Sequence, residues 1–313
     1  MQWLGIAVFA AVAFGVSWGL LAALAQAPFD RTPVVVGPFV PLPLVPFSLT
    51  ALFIVPVLIQ AAPALGSIVA RLAEKSGFSD AGLRWGRGRY HLAAWLLPFA
   101  VSSVAFALVA VVPEARLYPS ATSTGPGLSA EQHAVTQRII ASWDGWTSVF
   151  VIARSMTEGV AVALVAAFAE ELGWRGYLQR RLTRLGAMRA MLIVGAAWGI
   201  WHAPVIMRGY GNPYAGGAAI VLMIAYCTAW SVFLGWLFVA SESVLVPTVG
   251  HASINSSADL LGTLAVRTGP AAVRAHGVVL IAVAWCLVAW VWRTQLKPLS
   301  HHAQDSGDTR LSH

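Results

Sequence analysis

From residue 3 to residue 292 this 313-residue chain is a succession of apolar runs, each near the length a helix needs to cross a bilayer. A span takes about 20 apolar residues, and in lipid only a helix or a closed barrel satisfies its own backbone polar groups. The runs read as about eight spans, near 3–24, 48–72, 92–112, 150–173, 190–207, 218–240, 244–261 and 278–292. Their recurrence to the C-terminus excludes a secreted soluble protein with one signal peptide. The first run has no basic segment before it and exceeds the usual core of a signal peptide, so it reads as a retained helix. The predicted fold is therefore all-α: a polytopic membrane protein of about eight transmembrane helices.

Charge supports this and orients the chain. Charged residues make up 11% of the sequence, against about 25% in soluble domains. The net charge of +7 follows the loops rather than any patch interleaved with base-stacking aromatics, so nucleic acid is not an expected partner. Arg71, Lys75, Arg84, Arg87 and Arg89 lie between spans two and three. Arg180, Arg181, Arg184 and Arg189 lie between spans four and five, and Arg293, Lys297 and Arg310 near the C-terminus. The opposite side holds only Arg31, Arg116, Arg138, Arg208, Arg267 and Arg274. The excess of positive charge predicts a cell-membrane protein with both termini in the cytoplasm. The Pro-rich segment 28–46 is expected as an ordered outer loop, since each proline removes a backbone donor. Residues 114–147 form the longest polar stretch, and the tail after 297 is expected to be disordered. Cys227 and Cys286 fit no metal spacing and read as buried free thiols.

An ionisable group within a span costs about 2.5 to 3.5 kcal/mol on insertion scales, so each one asks for a reason. Span four ends in Glu170-Glu171-Leu172-Gly173-Trp174-Arg175. The two carboxylates point about 100° apart on a helix. Glu171 and Arg175 stand i, i+4 in the favourable order, which leaves Glu170 free to face a cavity. Span five carries Trp198 and His202 on one face, with Pro204 just beyond. Span seven carries His251 and Asn255 on one face, and Asp259 continues that stripe. Taken singly, these are a snorkelling helix end, a carbonyl-bonded histidine and polar contacts between helices.

Taken together they suit amide hydrolysis, which needs a base to activate water and donors for the oxyanion. Glu170 with an imidazole supplies a base, and a His with an Asn amide supplies donors. The same Glu170, His202 and His251 are equally a candidate ligand set for a divalent metal such as Zn, which would acidify a bound water. These alternatives stay open at the level of sequence. No His-Glu-x-x-His is present, so the common zinc-peptidase helix is absent as a motif.

In order and spacing these residues resemble the CAAX protease and bacteriocin-processing (CPBP, or Abi) family of intramembrane proteases. Its marks are a Glu-Glu-x-x-x-Arg motif, a Phe-x-x-x-His motif and a His-x-x-x-Asn motif on successive membrane segments. They stand here as Glu170 to Arg175, Trp198 to His202 and His251 to Asn255, within about residues 160–262. Pro63-Ala64-Leu65 in span two is a weaker likeness. The family's usual Phe is Trp198 here, from which a changed pocket shape is expected rather than lost chemistry. The resemblance implies that Glu170 acts with His202 on water. It implies that His251 and Asn255 stabilise the transition state, and that Glu171 and Arg175 hold the geometry. It further implies an intramembrane endopeptidase whose substrates are small hydrophobic or lipid-anchored peptides, CAAX-like ones among them. The chain divides on this reading into N-terminal helices (1–150), a catalytic core (151–265) and a last helix with a polar tail (266–313). Competing readings are a proton-coupled transporter using the same groups as a relay, and a non-catalytic immunity or scaffold protein. A transporter would more often show paired Gly/Pro breaks in two halves; Pro204 and Pro247 show no such symmetry.

Overall fold

In the computed structural model, which describes residues 2–26, 55–110, 145–207, 216–265 and 270–296, the apolar runs are helical, and no strand occurs among these residues. Helices α1 (Gln2–Gln26), α2 (Val55–Glu74) and α3 (Gly88–Ala110) come first. Helix α4 (Gly145–Arg154) passes through a π-helical stretch, Ser155–Gly159, into α5 (Val160–Gly173). A second π-helical stretch, Trp174–Gln179, follows α5 directly. Then come α6 (Ala187–Trp201) and the short α7 (Ala203–Met207). Helices α8 (Gly216–Ser241), α9 (Leu245–Ala265) and α10 (Pro270–Val291) complete the bundle.

Six stretches among the described residues are long and apolar enough to cross a membrane: Trp3–Ala23, Gly88–Val109, Ile152–Leu185, Ala187–Met207, Gly217–Ser241 and Gly277–Leu296. The other two expected spans correspond to α2 and α9. The protein is an all-α, multi-pass membrane protein. The expected outer loop 28–46, the polar stretch 114–147 up to residue 144 and the tail from 297 lie outside the described residues. One expectation about the cysteines is corrected. Cys227 is buried, but Cys286 is exposed on α10, because its neighbours Ala284 and Val288 are the residues that α10 turns into the core.

Small residues set the distances between helices. A Cβ on Gly195 would stand 2.5 Å from the Thr228 Cα, and one on Gly199 would stand 2.5 Å from the Ile224 Cα. The two glycines share one face of α6, so α8 closes against it backbone to backbone, as small-residue faces allow in membranes. Gly173 likewise touches the Pro63 backbone, seating α5 on α2. Alanine at an open helical glycine gains up to about 1 kcal/mol, whereas overpacking costs about 1 to 3 kcal/mol. Gly195→Ala is therefore expected to lower the unfolding midpoint in detergent. Gly217→Ala, where a Cβ meets nothing within 4 Å, is expected to hold or raise it. Equal midpoints for the two variants would refute this account of the α6–α8 contact.

Breaks in the helices are matched by side chains from neighbours. Pro63 has no N–H for the Ile59 carbonyl, and the Ser17 hydroxyl donates to that carbonyl at 3.1 Å. In the first π stretch the Ser155 carbonyl accepts from the Ser256 hydroxyl at 2.6 Å, and the Met156 carbonyl from the Trp95 indole at 2.7 Å. In the second, the Gly176 carbonyl accepts from Arg71 at 2.7 Å. Arg71 also pairs with Asp80, and Arg181 bridges Asp80 and Glu74. Arg71, read from sequence as a loop charge, is thus buried and ties α2 and the following loop to the end of α5. Burial pushes the Asp80 carboxyl up, but hydrogen bonds from Arg181 and Arg71 outweigh it and hold the group below its ordinary value.

Candidate active site

Helices α5, α6 and α9 carry the polar residues singled out by sequence, and the bundle gathers them into two linked groups. The first is built on Glu170, which is buried on the last turn of α5. Its Oε2 accepts a hydrogen bond from the Trp198 indole Nε1 at 2.8 Å. His202, the residue that ends α6, lies within electrostatic reach of Glu170. Its Nδ1 stands 2.8 Å from the Trp198 carbonyl oxygen. A carbonyl only accepts, so Nδ1 carries the proton and Nε2 of the neutral ring is left with its lone pair.

The second group is built on Glu171. Its Oε1 accepts from Arg175 Nη1 at 2.7 Å, and His251 Nδ1 lies 2.7 Å from the same oxygen. The i, i+4 pair expected between Glu171 and Arg175 is therefore present. His251 joins it across 80 positions of sequence, and a carboxylate at Nδ1 fixes that ring's orientation and again directs Nε2 elsewhere. All three side chains are almost wholly buried. Asn255 is half-buried, one turn beyond His251 on α9. The side chain of Asp259 lies outside the described residues.

Trp198 joins the two groups. Its ring centroid is 5.8 Å from that of His202 and 4.9 Å from that of His251, and the Arg175 guanidinium stands 5.3 Å from it. Sequence reasoning treated Trp198 as bulk and missed its donor. A buried indole N–H needs an acceptor, and that signal was available. Two further features were not legible. The Cys227 thiol lies 3.9 Å from His202 Nδ1. Helix α1 also grips the end of α6: Trp18 Nε1 donates to the Trp201 carbonyl at 3.1 Å, and Trp201 Nε1 donates to Ser17 Oγ at 2.8 Å. The turn bearing His202 is thereby anchored to the Ser17 that also caps the Pro63 break.

Among the described residues no three His, Cys, Asp or Glu side chains gather closely enough to hold an ion. No step below passes through a metal.

An all-helical membrane bundle with a carboxylate–imidazole pair beside a second carboxylate–imidazole–guanidinium group defines the class: a polytopic membrane protein with an intramembrane polar centre. Comparison with known proteins narrows it. Residues 152–257, about a third of the chain, match the family described as type II CAAX prenyl endopeptidase Rce1-like. Glu170, Glu171, Arg175, Trp198, His202, His251 and Asn255 fall inside it, and Asp259 does not. CAAX prenyl protease 2 of Methanococcus maripaludis is similar, at 29% identity over 107 residues, covering 31% of this chain and 38% of that protein. The match thus spans well under half of the relative's length.

Proposed function

We propose that this protein is an intramembrane endopeptidase that hydrolyses hydrophobic or membrane-tethered peptides, with prenylated CAAX-like C-termini as the first substrate class to test. The observation that carries the reading is the buried Glu170 carboxylate beside His202, whose Nδ1 is committed to a carbonyl and whose Nε2 is not. In the proposed reaction Glu170, with His202, takes a proton from water, and the oxygen attacks the scissile carbonyl carbon. The developing oxyanion accepts hydrogen bonds from His251, oriented by Glu171, and from the Asn255 amide. The C–N bond then breaks as the proton held by Glu170 passes to the leaving amine. Residues 151–265 form the catalytic core on this reading, and the protein lies in the cell membrane with both termini cytoplasmic.

The test uses full-length protein in liposomes with a prenylated CAAX peptide, the same peptide without its prenyl group, and an unrelated apolar peptide, each with and without chelator. Cleavage favouring the prenylated peptide and surviving chelation is expected. Cleavage lost to chelator and restored by Zn would overturn the metal-free assignment. Proton-coupled flux without any cleaved product would replace the protease reading with transport.

A further inference from the structure

Trp198 stands in two relations to the centre at once. Its indole N–H donates to Glu170 on α5, and its own backbone carbonyl receives His202 Nδ1 on α6. One residue therefore sets the orientation of both members of the carboxylate–imidazole pair, although they come from different helices. The carbonyl contact is available to any residue at this position. The indole contact is not, because the phenylalanine usual at this position in the resembling family has no side-chain donor. The indole is itself held: it is 3% exposed, has the Arg175 guanidinium 5.3 Å from its ring centroid and lies against the His251 ring. The glycines that draw α8 onto α6, Gly195 and Gly199, flank it in sequence.

From this we infer that Trp198 is a positioning residue, whose indole N–H holds the Glu170 carboxylate in the orientation from which it acts on water. The inference rests on the proposed role of Glu170. A carboxylate at the end of a helix has several accessible rotamers. A donor fixed on the neighbouring helix selects one of them, and a charge-assisted hydrogen bond is among the stronger means of doing so. The substitution of Trp for Phe thus supplies an additional anchor for the acid, beyond the change of pocket shape.

The experiment replaces Trp198 in the full-length protein in two ways. Trp198→Phe restores the family's residue. Benzothienylalanine, introduced at position 198 by nonsense suppression, keeps the size and shape of tryptophan with sulfur in place of N–H. Using the prenylated CAAX peptide, both are expected to lower kcat about 10- to 100-fold, the range for losing a hydrogen bond to a charged group. KM should change by less than about three-fold, since substrate binding is not the interaction removed. A benzothienylalanine variant with wild-type kcat and KM overturns the inference, whatever Trp198→Phe does. Glu170→Gln, measured alongside, separates the two levels: wild-type activity in that variant overturns the role of Glu170 itself. An activity-independent readout comes from the indole N–H resonances of ¹⁵N-tryptophan-labelled protein. The Trp198 signal, assigned by its loss in Trp198→Phe, should move in Glu170→Ala. A signal indifferent to Glu170→Ala overturns the contact and the inference with it.

Discussion

Glu170→Gln is expected to lower kcat by about two to four orders of magnitude, the range that general-base catalysis contributes, with little change in KM or unfolding midpoint. The substitution is isosteric, and the amide oxygen still accepts from the Trp198 indole that now reaches Glu170 at 2.8 Å. The packing around α5, α6 and α9 is thereby kept, and what is lost is the ability to take a proton from water. Steady-state cleavage of the prenylated peptide, with the unfolding midpoint measured on the same preparation, checks this. Activity within a few-fold of wild type would remove Glu170 from the chemistry.

Glu171→Leu is expected to act through the fold. Glu171 and Arg175 are 0% exposed, and one carboxylate oxygen serves both Arg175 and His251. Removing the carboxylate leaves a guanidinium charge buried and unpaired, which costs about 3 to 5 kcal/mol. Arg175 has little to fall back on: its Nε and Nη2 have no hydrogen-bond partner among the described residues. The double variant Glu171→Leu/Arg175→Met removes both charges and is expected to recover most of that stability, since a buried pair is often replaceable by apolar side chains. It should not recover activity, because His251 still lacks the group that orients its ring. Unfolding midpoints and cleavage rates of the two single variants and the double variant decide the matter. A Glu171→Leu protein as stable as wild type would show that the buried pair carries no such load.

Much of this arrangement was legible beforehand because membranes make sequence explicit. Where an apolar span must satisfy its backbone internally, the helices announce themselves. Polar residues within spans are few enough that Glu170, Glu171, His202, His251 and Asn255 stood out as exceptions. The i, i+4 pairing of Glu171 with Arg175 was legible for a local reason: helical geometry places those side chains together whatever surrounds them. The partner of His251 was not, since no periodicity relates α9 to α5. Arg71 misled for a related reason. By sequence it sits at a helix end among loop charges, and only the approach of the Gly176 carbonyl and Asp80 makes it a buried tie.

What the chain determined by itself is the helical, membrane-spanning architecture and the set of polar residues inside it, because hydropathy and helical spacing act along the sequence. Tertiary structure alone decided which of those residues face each other. It assigned Glu170 to Trp198 and His202, and Glu171 to Arg175 and His251. The two carboxylates are adjacent in sequence, so their opposite assignments depend on where α6 and α9 lie around α5. Missing Cβ atoms set distances in that arrangement: Gly195 and Gly199 seat α6 on α8, Gly250 lets α9 lie against Leu234 of the same α8, and Gly173 seats α5 on α2.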